Sequence, residues 1–251
     1  AGGIEELFEA LVARSEDLHE HPLIAEREDV QRAVIVVLGS NRGMCGSFNG
    51  QLSRVVEGFV WEQRDRFSNL ETISLYAVGK KQRDFFKHRG YDIEREDIDL
   101  EPAEYFEAAK SLIRELTKRY EANEIDRVYV AYNRFNSALS QTATVKQLFP
   151  IGGEMGEAEQ PADDAPLADY VFEPSMEEIV EVLLPKYLDT LVHQAFLESE
   201  AGEQGARMTA MDAATRNAGD MIDRLTLEFN RARQAAITKE LVEIVSGAEA
   251  L

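Results

Sequence analysis

The sequence predicts an α/β fold, a small parallel sheet that carries a long C-terminal helix. Three observations predict it. Residues 33–38 (AVIVVL) form a continuous apolar run rich in β-branched side chains, the pattern of a strand buried on both faces of a parallel sheet. Stretches of helical periodicity alternate with such runs, as crossover connections require. In the last quarter Met211, Thr215, Ala218, Ile222, Leu225, Phe229, Ala232 and Ala236 recur in steps of four and three, the heptad spacing of a coiled-coil seam.

The elements follow in order. Ile4, Leu7, Phe8, Leu11 and Val12 make an i, i+3, i+4 stripe, so residues 4–19 read as a helix. His21-Pro22 ends it, because a residue before proline is pushed out of the helical region. After the strand at 33–38 comes a glycine-bearing loop, residues 39–50, then a helix marked by Leu52, Val55, Val56, Phe59, Val60 and Gln63. Residues 73–78 are a second strand, and residues 79–88 a short helix ending at Gly90. Residues 91–101 read as an acidic connection, Pro102 opens a helix over 103–120, and residues 127–132 (RVYVAY) are a third strand. Residues 142–148 alternate polar and apolar side chains, as an edge or hairpin strand does.

Residues 151–168 read as a loop and 170–172 as a short extended piece. Ser175 with Glu178 has capping-box spacing, so a helix starts there. Pro185 falls inside its pattern and is expected to kink or restart it. From Lys186 to Ser246 nothing stops the helix, and such a rod, about 90 Å long at 1.5 Å per residue, must project from the sheet domain. Gly202, Gly205 and Gly219 each weaken it by roughly 1 kcal/mol and mark places where another chain can approach closely. The expected organisation is residues 1–20 as a coiled-coil remnant, 30–175 as a Rossmann-like α/β domain, and 176–251 as the long helix. The seam needs a partner of similar length, which residues 4–19 cannot supply.

Composition narrows the function. Hydrophobic residues make up 44% and charged residues 29% of 251, ordinary for a globular protein. No apolar run is long enough to span a bilayer. The start, Ala1-Gly2-Gly3, shows neither a secretory leader nor an initiator methionine, and reads as a chain processed or cut from a longer one. Twenty-seven basic and 47 acidic residues give a net charge of −20, which repels nucleic acid and anionic lipid. The excess fits either a plain acidic surface or adaptation to high cytoplasmic salt, where crowded carboxylates are screened. Salt adaptation is expected to show as a higher melting temperature in molar salt; a flat response rules it out. Cys45, the only cysteine, can form no internal disulfide, and the four histidines are scattered, so no metal site is expected.

The loop at 39–50 lies where α/β folds bind phosphate, but it matches no nucleotide motif. No Lys-Ser or Lys-Thr follows its last glycine, and glycines at 39, 43, 46 and 50 do not make G-x-G-x-x-G. It reads as a structural turn or a protein-contact loop. Cys45 reads as a small packed thiol. Met208, Met211 and Met221 read as packing residues. No catalytic residue and no cofactor is expected. Around residues 230–240, cations, an amide and alanines mix, while Ile237, Leu241, Ile244 and Val245 shift the apolar line to a new face. That is either a fraying helix end or a tip inserted into another protein, with Arg233 and Gln234 bonding to acceptors there.

Two motifs carry a resemblance. One is the C-terminal block, EQGARMTAM at 203–211 and NRARQAAITKEL at 230–241, running to Gly247-Ala248. The other is Arg42-Gly43-Met44-Cys45-Gly46 with Asn49 after the first strand. Over nearly its whole length the chain resembles the gamma subunit of F-type ATP synthases, the central rotor shaft.

The resemblance implies that the terminal helix pairs as an antiparallel coiled coil with an N-terminal helix. It implies a shaft turning inside the alpha-beta hexamer and joined to a membrane c-ring, with no chemistry or cofactor of its own. By the same resemblance Arg233 and Gln234 meet a catch loop of beta, and Arg207, Thr238 and Glu240 match positions tied to coupling. Arg42, Gly43, Met44, Cys45 and Gly46 face beta's acidic lever loop. Phe172 and Glu173, within residues 170–174, lie where the foot meets the ring and the epsilon subunit. Location is then peripheral, on the cytoplasmic face of the bacterial inner membrane.

The chain departs from the family pattern in four ways. Most of the N-terminal helix is absent, Asn41 stands for an aspartate, and Gly202 and Gly205 stand for serine and alanine. Its acids, unusual for such a shaft, are expected on the globular domain. Two other readings remain: a nucleotide-dependent α/β enzyme, which ATP or NAD binding would reveal, and a coiled-coil adaptor, which would leave hexamer ATPase unchanged.

Overall fold

The computed structural model describes residues 21–27, 29–151 and 176–249, with side chains of the last stretch from 182 to 246. The expected helix at 4–19 and the loop and cap at 152–175 lie outside the described residues.

Among the described residues five strands form one sheet in the order β3-β2-β1-β4-β5: β1 (Arg32–Leu38), β2 (Thr72–Val78), β3 (Ile93–Asp97), β4 (Arg127–Ser137) and β5 (Ser140–Phe149). The first four are parallel, and β5 returns antiparallel to β4 through a tight hairpin. Helices α1 (Phe48–Arg66) and α2 (Lys80–His88) cover one face. Helix α3 (Tyr105–Glu121), entered through a single 3₁₀ turn at Pro102–Glu104, covers the other with the start of α4 (Met176–Glu249).

Strand β1 explains the continuous apolar run. Ala33, Ile35 and Val37 point to the α1–α2 layer, where they meet Leu52, Val56 and Leu75. Val34, Val36 and Leu38 point to the opposite layer and meet Leu112, Leu116 and Val130. Side chains alternate across a strand, so a central strand between two helical layers needs apolar residues at every position.

Three expectations are corrected. Residues 93–97 (IERED) are not a connection but β3, the edge strand beside β2. Its charges suit an edge: Arg95 pairs with Asp97 and Glu115, and Glu94 with Arg119. The long helix does not restart at Pro185; it is continuous, because Leu184, Tyr187 and Leu188 are buried in the body on either side of the proline. At Gly202 and Gly205 the close neighbour is the protein's own β4–β5 hairpin rather than another chain.

At 74 residues α4 is about 110 Å long. Leu184, Leu188, Val192 and Phe196 bury it against α3 and β4. Beyond residue 210 the described side chains are exposed apart from Ala213 and Asn230. Residues 206–249 carry six cations and seven carboxylates, so nearly all of the net −20 lies elsewhere in the chain. The excess of acids over bases therefore lies off residues 206–249.

Candidate partner-binding site

The site is built where β1 and β2 end. Gly79 has φ +91°, and a side chain there would stand 2.5 Å from the Gly39 carbonyl oxygen. Glycine at 79 therefore lets the two strand ends touch. The loop after Gly39 is then tied down by side chains. Ser40 N donates to Asn49 Oδ1 at 3.1 Å, Asn49 Nδ2 donates to Ser40 Oγ at 2.7 Å, and Ser40 Oγ donates to the Arg42 carbonyl at 2.6 Å. Buried Gln82 reaches across from α2, donating to the Asn49 carbonyl and accepting from Ser53 Oγ. Asn41 Oδ1 accepts from the backbone of both Lys80 and Asp99 at 3.1 Å.

Asn41 thus does what an aspartate oxygen would do. Asn41→Asp is expected to leave the melting temperature almost unchanged. Asn41→Ala removes the acceptor of a half-buried N–H and of an exposed one and is expected to cost about 1 kcal/mol, read by denaturant unfolding.

The loop turns outward at Met44, whose φ of +62° is unusual for a side chain of its size and which is 73% exposed. Arg42 is exposed beside it. Cys45 points inward and is 2% exposed, its Sγ accepting from Asn49 Nδ2 at 3.2 Å. Gly46 (φ +58°) lies against α4, where an added side chain would be 3.8 Å from Ala210 Cβ. The structure thus brings Arg42–Gly46 beside the Arg207 region of α4. Arg207 is half-buried and ion-paired with Glu203 one turn back. Burial pushes the Glu203 carboxyl up, and it outweighs the opposing pull of Arg207 and Arg42.

The crevice at the carboxyl ends of the strands is where open α/β sheets bind ligands. Here α4 crosses it. Ser199 Oγ donates to the Leu38 carbonyl at 3.0 Å, and Tyr105 Oη donates to Glu200 at 2.8 Å. A cavity of about 480 Å³ remains, lined by Asp97, Asp99, Glu101, Glu200 and Glu203 against Arg42 and Arg207. Five carboxylates facing two guanidiniums repel a phosphate. Among the described residues no cluster of His, Cys, Asp and Glu could hold a metal.

Two tyrosines report on this packing. Burial, with a hydrogen bond to Glu200, raises Tyr105 well above the usual phenol range. Burial, with a hydrogen bond to Glu115, raises Tyr76 to about 12. A phenol whose folded pKa is raised contributes stability that is fully present below its unfolded value, about 10, and is lost as pH climbs through the folded value. Two tyrosines are therefore expected to stay protonated in absorbance titrations until pH 12 or until the fold opens. Ionisation of all eight by pH 11 in folded protein would contradict this.

The remaining predicted positions lie far along α4. Arg233 is 26 residues past Arg207, about 39 Å at helical rise. Arg233, Gln234, Thr238 and Glu240 are all exposed, and they do not form one patch. Arg233 and Glu240, seven apart, share one face, while Gln234 and Thr238, four apart, share another. Phe172 and Glu173 lie outside the described residues. Sequence reasoning missed Gly79, Ser199, Glu200 and Tyr105. Only Gly79, at the end of an apolar run, gave any signal.

A family model described as ATP synthase matches residues 1–251. The chain is similar to proteins named ATP synthase gamma chain. That of Anaeromyxobacter dehalogenans (strain 2CP-1) is 45% identical over 250 residues, covering 99% of this chain and 83% of that one. That of Heliobacterium modesticaldum is 44% identical over 250 residues with the same coverage. Among solved structures, the fold is similar to the rotor of Euglena gracilis mitochondrial ATP synthase at TM-score 0.62 and 20% identity, covering 93% of this chain and 90% of that one. It is also similar to the central stalk of the Tetrahymena thermophila enzyme at TM-score 0.55 and 19% identity, covering 84% and 94%.

Proposed function

The chain belongs to the ATP synthase gamma-chain family, and from that membership we propose how its surfaces serve a central-stalk rotor. It is a non-catalytic subunit that couples ion-driven rotation to ATP synthesis or hydrolysis in the alpha-beta hexamer. Among the described residues no helix is long and apolar enough to cross a membrane.

The observation that carries the assignment of surfaces is the bare stripe on α4. Met211, Ile222, Leu225 and Phe229 lie on one line, and all are exposed beyond the body. Apolar stripes of this length mark a binding surface. The stripe receives an antiparallel N-terminal helix, and the paired rod enters the hexamer. Residues 1–20, 30–175 and 176–251 serve as coiled-coil segment, globular body and shaft. Arg42 and Met44, projecting from a braced loop, engage beta's acidic lever loop, with Gly43, Cys45 and Gly46 setting the loop's shape and Arg207 beside it. Arg233, Gln234, Thr238 and Glu240 engage beta higher in the cavity. Phe172 and Glu173 serve the foot, toward the epsilon subunit and the c-ring. The subunit works at the cytoplasmic face of the bacterial inner membrane.

Two contact levels about 39 Å apart on one stiff rod give the hexamer an asymmetric axle. Each beta subunit meets a different face at any instant, and differential contact is what shifts an affinity. The test is reconstitution with alpha and beta subunits of a version that carries a full-length N-terminal partner helix. ATP-driven rotation is expected, slowed several-fold by Arg42→Glu or Arg233→Glu. Failure to assemble or rotate overturns the reading.

A further inference from the structure

Where α4 leaves the body it passes through a collar, and we propose that this collar is a keyed joint that stops the shaft from slipping against the globular domain. The inference rests on the rotor reading above. Within two turns, α4 is gripped by four separate elements. Ser199 Oγ bonds to the end of β1 at Leu38, and Glu200 accepts from Tyr105 at the start of α3. A side chain at Gly202 would stand 3.2 Å from Gln141 Cγ on β5 and 3.3 Å from the Phe48 ring on α1. At Gly205 it would stand 2.8 Å from the Ala138 carbonyl oxygen at the hairpin turn.

At 100° per residue these four positions spread over about 220° of the helix circumference. The two glycines make a slot, and the β4–β5 hairpin fills it. If the helix rolls by one residue, Gln204 or Ala206 enters the slot in place of Gly205, and Ala201 or Glu203 in place of Gly202. At the Gly205 position this brings a Cβ to a distance from the hairpin backbone that real contacts do not show, and at the Gly202 position it crowds the Gln141 side chain and the Phe48 ring. The slot therefore resists rotation by steric exclusion, which needs no strong bond.

The hairpin is braced to bear the load. Gln141 Nε2 donates to the carbonyls of Ser137 at 3.0 Å and Ala138 at 3.2 Å, and Asn136 Nδ2 donates to Thr142 Oγ1 at 2.7 Å. Phe135 N also donates to Glu198 on α4 at 3.3 Å. The collar sits within two turns of the last contacts before the exposed rod, the approach of Gly46 to Ala210, where torque must pass from shaft to body.

The test uses the assembled rotary complex, with the shaft held in the hexamer and a probe on the globular body. Gly205→Val is expected to raise the angular variance of the probe at least twofold and to cut ions pumped per ATP hydrolysed several-fold while hydrolysis persists. Gln141→Ala removes the hairpin's brace and its side-chain packing at Gly202 while leaving the residues of α4 unchanged, and is expected to raise the variance by a smaller but measurable factor. Parental variance and pumping in both variants overturn the inference, as does parental variance in Gln141→Ala when Gly205→Val fails to fold. If the parent complex does not rotate, the rotor reading fails and the joint fails with it.

Discussion

Asp126→Ala is expected to be among the most damaging changes of a polar side chain in the body, costing about 3 kcal/mol, which for a chain of this size lowers the melting temperature by about 10 °C. Asp126 is 6% exposed. Its Oδ2 accepts from the backbone N–H of Gln31 at 3.0 Å and of Arg32 at 2.9 Å, and its Oδ1 accepts from Arg27 Nη1 at 3.0 Å. Arg27 in turn stacks 3.9 Å from the centre of the Tyr120 ring and donates to the Tyr120 and Ile125 carbonyls. One carboxylate thus pins the chain entering β1 to the turn entering β4. Alanine leaves two amides without their acceptor and takes the counter-charge from a half-buried guanidinium. Asp126→Asn keeps an oxygen for the amides but loses the charge, and is expected to cost about half as much. A melting temperature within 2 °C of the parent for Asp126→Ala would show that water replaces the carboxylate freely.

This clamp could not be seen in the sequence, and the reason is general. Asp126 touches residues more than 90 positions away, so no local pattern records it. Strand β1 was legible because burial on both faces demands apolar residues throughout, a local signature. Strand β3 was not, since IERED gains its conformation from pairing with Leu75–Val78, and its Arg95 and Glu94 find their ion-pair partners in Glu115 and Arg119 on α3. Gly202 and Gly205 looked like weak points in a helix until the hairpin that fills their slot was placed beside them.

The site shows the same division. The glycines of residues 39–50 marked a special turn, and the motifs singled out the exposed Arg42 and Met44. That Cys45 faces inward is set by Asn49, and that Arg42 and Arg207 share a neighbourhood is set by α4 crossing the crevice. The crossing also accords with the lack of a nucleotide motif in the loop after β1. The crevice that would receive a ligand is crossed by Ser199 and Glu200 of the chain's own helix, and carboxylates line what remains of it.

Charging the seam is expected to spare the body and disable the shaft. Ile222 and Leu225 lie beyond the collar and are more than half exposed, so the body loses no contact when they change. If the stripe receives a partner helix, replacing both by aspartate removes about 2 kcal/mol of apolar burial at each. That is about three decades in the pairing equilibrium, before the cost of placing carboxylates in an apolar seam. The double variant Ile222→Asp/Leu225→Asp is therefore expected to melt with the parent in its globular part while losing assembly with the hexamer and ATP-driven rotation. Asn217→Asp, also exposed but off the seam, is the control and is expected to assemble normally. The competing possibility has its own signature. Leu227 lies on the opposite face and is also well exposed. If the doubly charged seam rotates like the parent while Leu227→Asp does not, then the contact surface of α4 is the Leu227 face, and the heptad stripe faces water.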